Sequence, residues 1–176
     1  MTSAGAFLKV LGPLRQAFGE SAEAAAQGLC ATDLEPRCDE CKSKGTIRED
    51  MGFMPSVIRP CDSCEATGYP LEARELRVRG HSLPELERMS IEEVLELWPD
   101  LEPVAAPLRV CGELGLGYLT LGQGAGTLSG GERQRLRLVR ELSRRTTRPA
   151  LYILDEPTAG LHGIDVDRLV QTLDAW

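Results

Sequence analysis

Lysine is scarce in this chain: among 176 residues only Lys9, Lys42 and Lys44 occur, and none follows a glycine. That excludes, within this sequence, the Gly-Lys-Ser/Thr ending of the loop that wraps nucleotide phosphates. No apolar run approaches the roughly 20 residues needed to cross a bilayer. The segment Met1-Thr2-Ser3-Ala4-Gly5 also lacks the charged and apolar regions of a secretory signal. No membrane partner is expected, and a cytoplasmic location is. No internal repeat is evident.

What is present suits a soluble, globular chain of one ordinary domain or two small ones. The net charge of −7 argues against nucleic acid as a partner, but the distribution matters more than the sum. Between Arg133 and Arg148 seven arginines face one glutamate, so this segment carries +6 and the remainder −13. Arginine supplies 17 of the 20 basic residues, a bias that base composition explains as readily as function.

Four of the six cysteines form two pairs, Cys38-Asp39-Glu40-Cys41 and Cys61-Asp62-Ser63-Cys64, with 19 residues between them. In a reducing compartment this spacing points to a structural zinc site and not to disulfides. Two thiolates on one tight turn share a metal, and a second such turn closes the tetrahedron, leaving no open position for hydrolysis. Cys30 and Cys111 lack partners and read as small core or surface residues. Between the pairs, Arg48, Met51, Phe53, Met54 and Arg59 fall on an expected protruding loop, a contact surface for DNA or a protein. Six acidic and five basic residues from Glu35 to Cys64 make it no basic finger.

Further organisation follows from periodicity. Phe7, Leu11, Leu14 and Phe18 predict a helical lead-in over about residues 6–29, broken or restarted at Gly12-Pro13. Residues 35–69 have little regular periodicity, as expected of a module ordered by metal. Leu71 to Val78 alternates as a short strand, and Gly80 to Pro84 turns the chain. Ser90-Ile91-Glu92-Glu93 is a capping box opening a helix to about Trp98, and a second helix is expected over 103–114. The expected division is a lead-in over 1–34, a zinc module over 35–70, a strand and helical connector over 71–108, and a last region over 109–176.

That last region carries the chemistry. Leu128-Ser129-Gly130-Gly131-Glu132 opens an arginine-rich helix. On its own this is a Ser-capped helix start. With two glycines, however, the backbone can approach a phosphate at the positive end of a helix, and Ser129 adds a hydroxyl. Downstream, Leu151 to Leu154 reads as a buried strand delivering Asp155 and Glu156, a pair suited to holding magnesium and polarising a water. Arg133, Arg137, Arg140 and Arg144 stack on one helix face, a stripe that either meets phosphate or is merely solvated. Arg135 falls nearer the apolar side, where a buried carboxylate partner is expected, with Asp155 and Glu156 as candidates. Residues 165–174 read as the next helix.

The signature segment and Asp155-Glu156-Pro157-Thr158 resemble the ATP-binding-cassette family. Together with the two cysteine pairs and the ending Ala159-Gly160-Leu161-His162, they resemble the UvrA branch of that family, the DNA-damage sensors of bacterial nucleotide excision repair. The resemblance extends through Leu71-Glu72-Ala73-Arg74-Glu75-Leu76, Met89 to Val94 and Gly115 to Gln123.

It implies an α/β fold: a partial second cassette, comprising the signature helical region and the Walker B strand, with an inserted small zinc module. Implied cofactors are ATP, Mg2+ and Zn2+, the zinc on Cys38, Cys41, Cys61 and Cys64. Leu128, Ser129, Gly130, Gly131 and Glu132 would complete a nucleotide site whose lysine loop (Walker A) belongs to another cassette. Asp155 would assist magnesium, Glu156 would be the catalytic base and His162 would sit between sites. Implied partners are damaged duplex DNA, a UvrB-like protein, the cassette supplying Walker A, and a second copy of the parent protein. The chain is expected to be a piece of a cassette that does not turn over ATP alone. Two alternatives stay open: a zinc-stabilised DNA- or protein-binding module without ATPase activity, and another cassette ATPase of SMC or transporter type.

Overall fold

The computed structural model describes residues 3–53, 55–143, 153–158 and 163–174, with the side chains of 164, 165, 168 and 172 left aside. The lead-in is three short helices. In α1 (Ala4–Leu8), Ser3 caps the start by accepting from the Ala6 N–H, and Lys9 ends it at φ 62°. In α2 (Leu11–Gly19), Pro13 sits in the first turn, where its missing N–H has no intrahelical partner to lose. Leu14 and Phe18 are fully buried four residues apart, as the periodicity requires. The chain therefore breaks at Lys9-Val10, just before the expected Gly12-Pro13. Ser21 caps α3 (Ala22–Gln27), which Gly28 ends.

Two strands follow, β1 (Thr46–Glu49) and β2 (Val57–Pro60), paired antiparallel with Thr46 opposite Pro60 and Ile47 opposite Arg59. The stretch expected to be irregular thus contains a hairpin. Its outer side chains are largely exposed, and only Ile47 and Arg59 are half-buried, so there was little burial alternation to read.

The expected strand over 71–78 is instead helix α4 (Leu71–Glu75). Ala73 and Leu76, three apart, are buried while Leu71 is 53% exposed. Leu-Glu-Ala-Arg-Glu are all helix formers, and a stretch with no neighbouring strand among the described residues follows that propensity. Arg79 and Gly80, both at positive φ, then turn the chain between Val78 and His81. Helix α5 (Leu83–Arg88) follows, its Glu85 accepting from the Ser82 N–H at 3.0 Å and from Arg77 at 2.7 Å through both oxygens.

The capping box at Ser90 and Glu93 opens α6 (Ile91–Leu97), and α7 (Glu102–Glu113) matches the second expected helix. The glycine-punctuated segment after α7 is held by main-chain bonds: Ile91 N–H to Leu119 O at 2.8 Å, Gly5 N–H to Leu121 O at 2.8 Å and Ala4 N–H to Gln123 O at 2.9 Å. Helices α8 (Gly130–Leu142) and α9 (Gly163–Asp174) complete the described elements.

The expected buried strand over 151–154 is corrected where it can be seen. Leu151 and Tyr152 lie outside the described residues. Residues 153 and 154 form no strand, and Ile153 is 87% exposed. A buried strand needs neighbours to pair with, and the sheet among the described residues is the β1–β2 hairpin alone.

The chain divides into two compact units, Met1–Pro13 with Glu87–Trp176, and Leu14–Leu86. In the first the buried residues include Ile91, Val94, Leu108, Leu116, Leu119, Leu121 and Val139; in the second, Leu14, Phe18, Leu34, Ala73, Leu76 and Leu86.

Candidate metal centre and nucleotide-contact site

Hairpin register assembles the cysteines. Because Thr46 pairs with Pro60, the residue after β2, Cys61, arrives opposite the residue before β1, and its N–H donates to the Gly45 carbonyl at 2.9 Å. The Sγ atoms of Cys38, Cys41, Cys61 and Cys64 consequently all lie within 4.8 Å of one another. Cys38 and Cys61 Sγ are 3.8 Å apart, and Cys41 and Cys64 Sγ 3.6 Å. A tetrahedron with metal–sulfur bonds of about 2.3 Å has edges of about 3.8 Å. The four thiols therefore fit a tetrahedral metal ion.

Backbone donors complete the environment. Gly45 N–H donates to Cys41 Sγ at 3.3 Å and Gly68 N–H to Cys64 Sγ at 3.2 Å, contacts that favour thiolates. The Cys41 N–H brings the Cys38 thiol down to about 7. Burial pushes Cys61 up to about 12 and raises Cys64 as well. A bound dication overrides that burial penalty, since a coordinating thiol is deprotonated outright. Around the cage, Glu40 accepts from the Ser63 hydroxyl, and Arg59 pairs with Glu49 at 2.5 Å and Asp62 at 3.3 Å. Ile47 packs against the cysteines.

At the hairpin tip Phe53 is fully exposed and Met51 is 51% exposed; Met54 lies outside the described residues. Its arginines are committed locally: Arg48 donates to Ser56 Oγ at 2.7 Å, and Arg59 serves the acidic residues named above. Cys30 is exposed and Cys111 fully buried, where burial raises its thiol.

In the other unit Ser129 caps α8. Its Oγ accepts from the Glu132 N–H at 3.2 Å, while Glu132 Oε2 accepts from the Ser129 N–H at 2.5 Å. The capped-helix reading and the phosphate reading are compatible, because an accepting hydroxyl keeps its own proton to donate. Gly130 is exposed, with nothing within 4 Å of where a Cβ would stand. The first-turn N–H groups of Gly130 and Gly131 have no intrahelical acceptors, so this helix end can receive an anion. Glu132 is held further by the Tyr118 hydroxyl, the leading cause of its lowered pKa. Leu128 is buried, and its carbonyl accepts from Arg133 Nη1 at 2.7 Å.

Asp155 and Glu156 are both exposed, and Glu156 adopts φ 45°, a conformation costly for a non-glycine residue. Gln134 Nε2 donates to the Asp155 carbonyl at 2.7 Å, which ties the acidic turn to α8. Tyr118 and Gln134 were not among the expected site residues. Gln134 stands two residues past the signature's Glu132, and that nearness was its one signal. His162, with Gly160 and Leu161, lies outside the described residues.

Arg135 is 3% exposed, as helical geometry required. Its buried Nε and Nη1 carry no hydrogen bond, its charge acts on Glu132, and among the described residues the neighbouring Gln134, not Arg135, makes the hydrogen bond to the acidic turn. Of the stripe, Arg133 and Arg137 are exposed, Arg140 lies over the Phe7 ring at 5.3 Å, and Arg144 falls outside the described residues.

A profile of the ABC transporter family matches residues 65–159. UvrABC system protein A of Helicobacter pylori (strain ATCC 700392 / 26695) is 42% identical over 169 residues, 93% of this chain and 18% of that protein. The Pseudomonas aeruginosa protein of the same name is 41% identical over 166 residues, 92% of this chain and 18% of its own length. A crystal structure of UvrA2 from Deinococcus radiodurans superposes with a TM-score of 0.84 at 34% identity, covering 98% of this chain and 21% of that one. The chain thus spans about a fifth of the relatives it matches.

Proposed function

The chain belongs to the ABC transporter family of ATP-binding cassettes, and from that premise we propose that it is part of a UvrA-like, ATP-dependent DNA-damage recognition protein of nucleotide excision repair. The observation that carries this reading is one chain holding both a four-thiol cage and a capped signature helix, aligned over 93% of its length with UvrABC system protein A.

Cys38, Cys41, Cys61 and Cys64 would hold zinc, which supplies order to a module with little core of its own. Ser129, Gly130 and Gly131, flanked by Leu128 and Glu132, would present donors to the terminal phosphate of an ATP bound by another cassette. Asp155 would hold magnesium, Glu156 would take the proton from the attacking water, and His162 would lie at the junction of the sites. Damaged duplex DNA, a UvrB-like protein and a second copy of the parent are the corresponding partners. The internal use of Arg133 and Arg140 speaks against an autonomous DNA-binding stripe on α8.

A graft tests the proposal. This sequence would replace the matching segment of the Pseudomonas aeruginosa protein, and ATP hydrolysis and ATP-dependent retention of damaged duplex would be measured. Both activities are expected to survive the graft and to be lost on adding Ser129→Arg, whereas Glu156→Gln should stop hydrolysis and leave DNA retention. Hydrolysis at the parental rate with Ser129→Arg in place would refute it.

A further inference from the structure

The two cysteine turns are built alike. Each runs Cys-x-x-Cys-x-x-x-Gly, from Cys38 to Gly45 and from Cys61 to Gly68. In both, the two residues after the second cysteine take positive φ: Lys42 and Ser43 at 52° and 62°, Glu65 and Ala66 at 51° and 61°. Both then bond back to the second cysteine's carbonyl, Lys44 N–H to Cys41 O at 3.2 Å and Thr67 N–H to Cys64 O at 3.0 Å. Each closes on a glycine, at φ 69° and 77°, whose N–H meets that turn's second thiol.

The halves meet at those glycines. A Cβ on Gly45 would lie 2.3 Å from the Ala66 carbonyl oxygen, and one on Gly68 would lie 2.5 Å from the Ser43 carbonyl oxygen. Ser43 and Ala66 occupy the same position in their own turns, so each glycine is seated on its counterpart's backbone. A carbonyl in a tight turn cannot swing aside as the tip of a long side chain does.

We infer that Gly45 and Gly68 are positioning residues that interlock the two turns, so that the four thiolates assemble as one cooperative unit and not as two independent pairs. A methyl group on either glycine pushes the opposite turn's carbonyl away and disturbs that turn's thiols as much as its own. The inference rests on the zinc reading of the cage.

The test is alkylation of the zinc-loaded chain by iodoacetamide, resolved by peptide mass spectrometry for each cysteine. Exposed Cys30 reports that the reagent works, and Cys111, fully buried outside this unit, reports that the rest of the chain remains folded. Gly52→Ala is the control, a glycine at φ 65° with nothing within 4 Å, so it shares the backbone strain and lacks the close approach. In the parent chain Cys38, Cys41, Cys61 and Cys64 should be protected. In Gly45→Ala all four should label about tenfold faster or more, the factor expected of overpacking strain of ordinary size, with Cys111 protected and Gly52→Ala unchanged. Gly68→Ala should give the same pattern, and the double variant should add nothing further.

Faster labelling confined to Cys38 and Cys41 in Gly45→Ala, or unchanged labelling, overturns the interlock. So does exposure of Cys111, which would tie the turns to the other unit and not to each other. If the parent chain binds no zinc and its four cysteines label freely, the zinc reading itself has failed, a result distinct from the others.

Discussion

Replacing Arg135 with methionine should make the chain more stable. Arg135 sits on α8 with 3% of its surface exposed, and its Nε and Nη1 are buried without hydrogen-bond partners. Each buried donor left unmade costs about 1–3 kcal/mol. Methionine keeps most of the arginine stem's packing volume and removes the donors and the charge. The substitution forfeits an attraction to Glu132, but that is the last of the causes lowering the Glu132 pKa, after the Tyr118 hydroxyl and the two contacts from Ser129. The gain should therefore exceed the loss, for a net stabilisation of about 2 kcal/mol, within the range seen when unpaired or costly buried charges give way to apolar residues. Urea unfolding followed by far-ultraviolet circular dichroism measures this directly. For a chain of this size the matching rise in melting temperature is about 4–8 °C. A destabilisation of more than about 1 kcal/mol in Arg135→Met would refute the reasoning, because it would mean that the guanidinium makes a favourable interaction in the folded chain.

Three further outcomes are expected. Glu132, Glu85 and Glu93 all have folded pKa values below the ordinary 4.5: the Tyr118 hydroxyl leads at Glu132, Arg77 at Glu85 and the Ser90 N–H at Glu93. The stability they confer is full above the ordinary value and is lost as pH falls through the folded values, so the melting temperature should drop on acidification below about pH 4.5; Glu132→Gln should flatten that drop, and an unchanged slope would count against the capping network. Cys61→Ser should abolish stoichiometric zinc, measured by elemental analysis, because a four-thiolate site has no spare ligand; full retention of zinc would show that Cys61 is no ligand. Phe53→Ser at the hairpin tip should leave zinc content unchanged and stability within about 0.5 kcal/mol, since the ring is fully exposed; a larger loss would place Phe53 in a packed interface.

The features legible in the sequence were those governed by short-range rules. Ser-x-x-Glu at Ser90 and at Ser129 announces a capped helix because the side chain and the backbone donor are three residues apart in any fold, and both boxes form. The two cysteine pairs likewise bring four thiols to one point. What depends on neighbours was harder to read. Leu71 to Val78 alternates like a strand, but with no strand beside it among the described residues Leu71–Glu75 follows its helix propensity. Ile153 reads as the interior of a sheet and is exposed where no paired strand accompanies it among the described residues. The β1–β2 hairpin escaped notice because it buries so little. Tyr118 reaches the signature helix, and Gln134 reaches from that helix to the acidic turn, through contacts 14 and 21 residues distant in sequence, which no local pattern encodes.

ATP turnover tests most directly whether this chain supplies half of a nucleotide site. The purified chain should release no phosphate above background, and Glu156→Gln should change nothing. Mixed with a UvrA-like cassette that carries the phosphate-wrapping loop, it should support hydrolysis that Ser129→Arg removes. Turnover by the isolated chain that Glu156→Gln abolishes would contradict the claim.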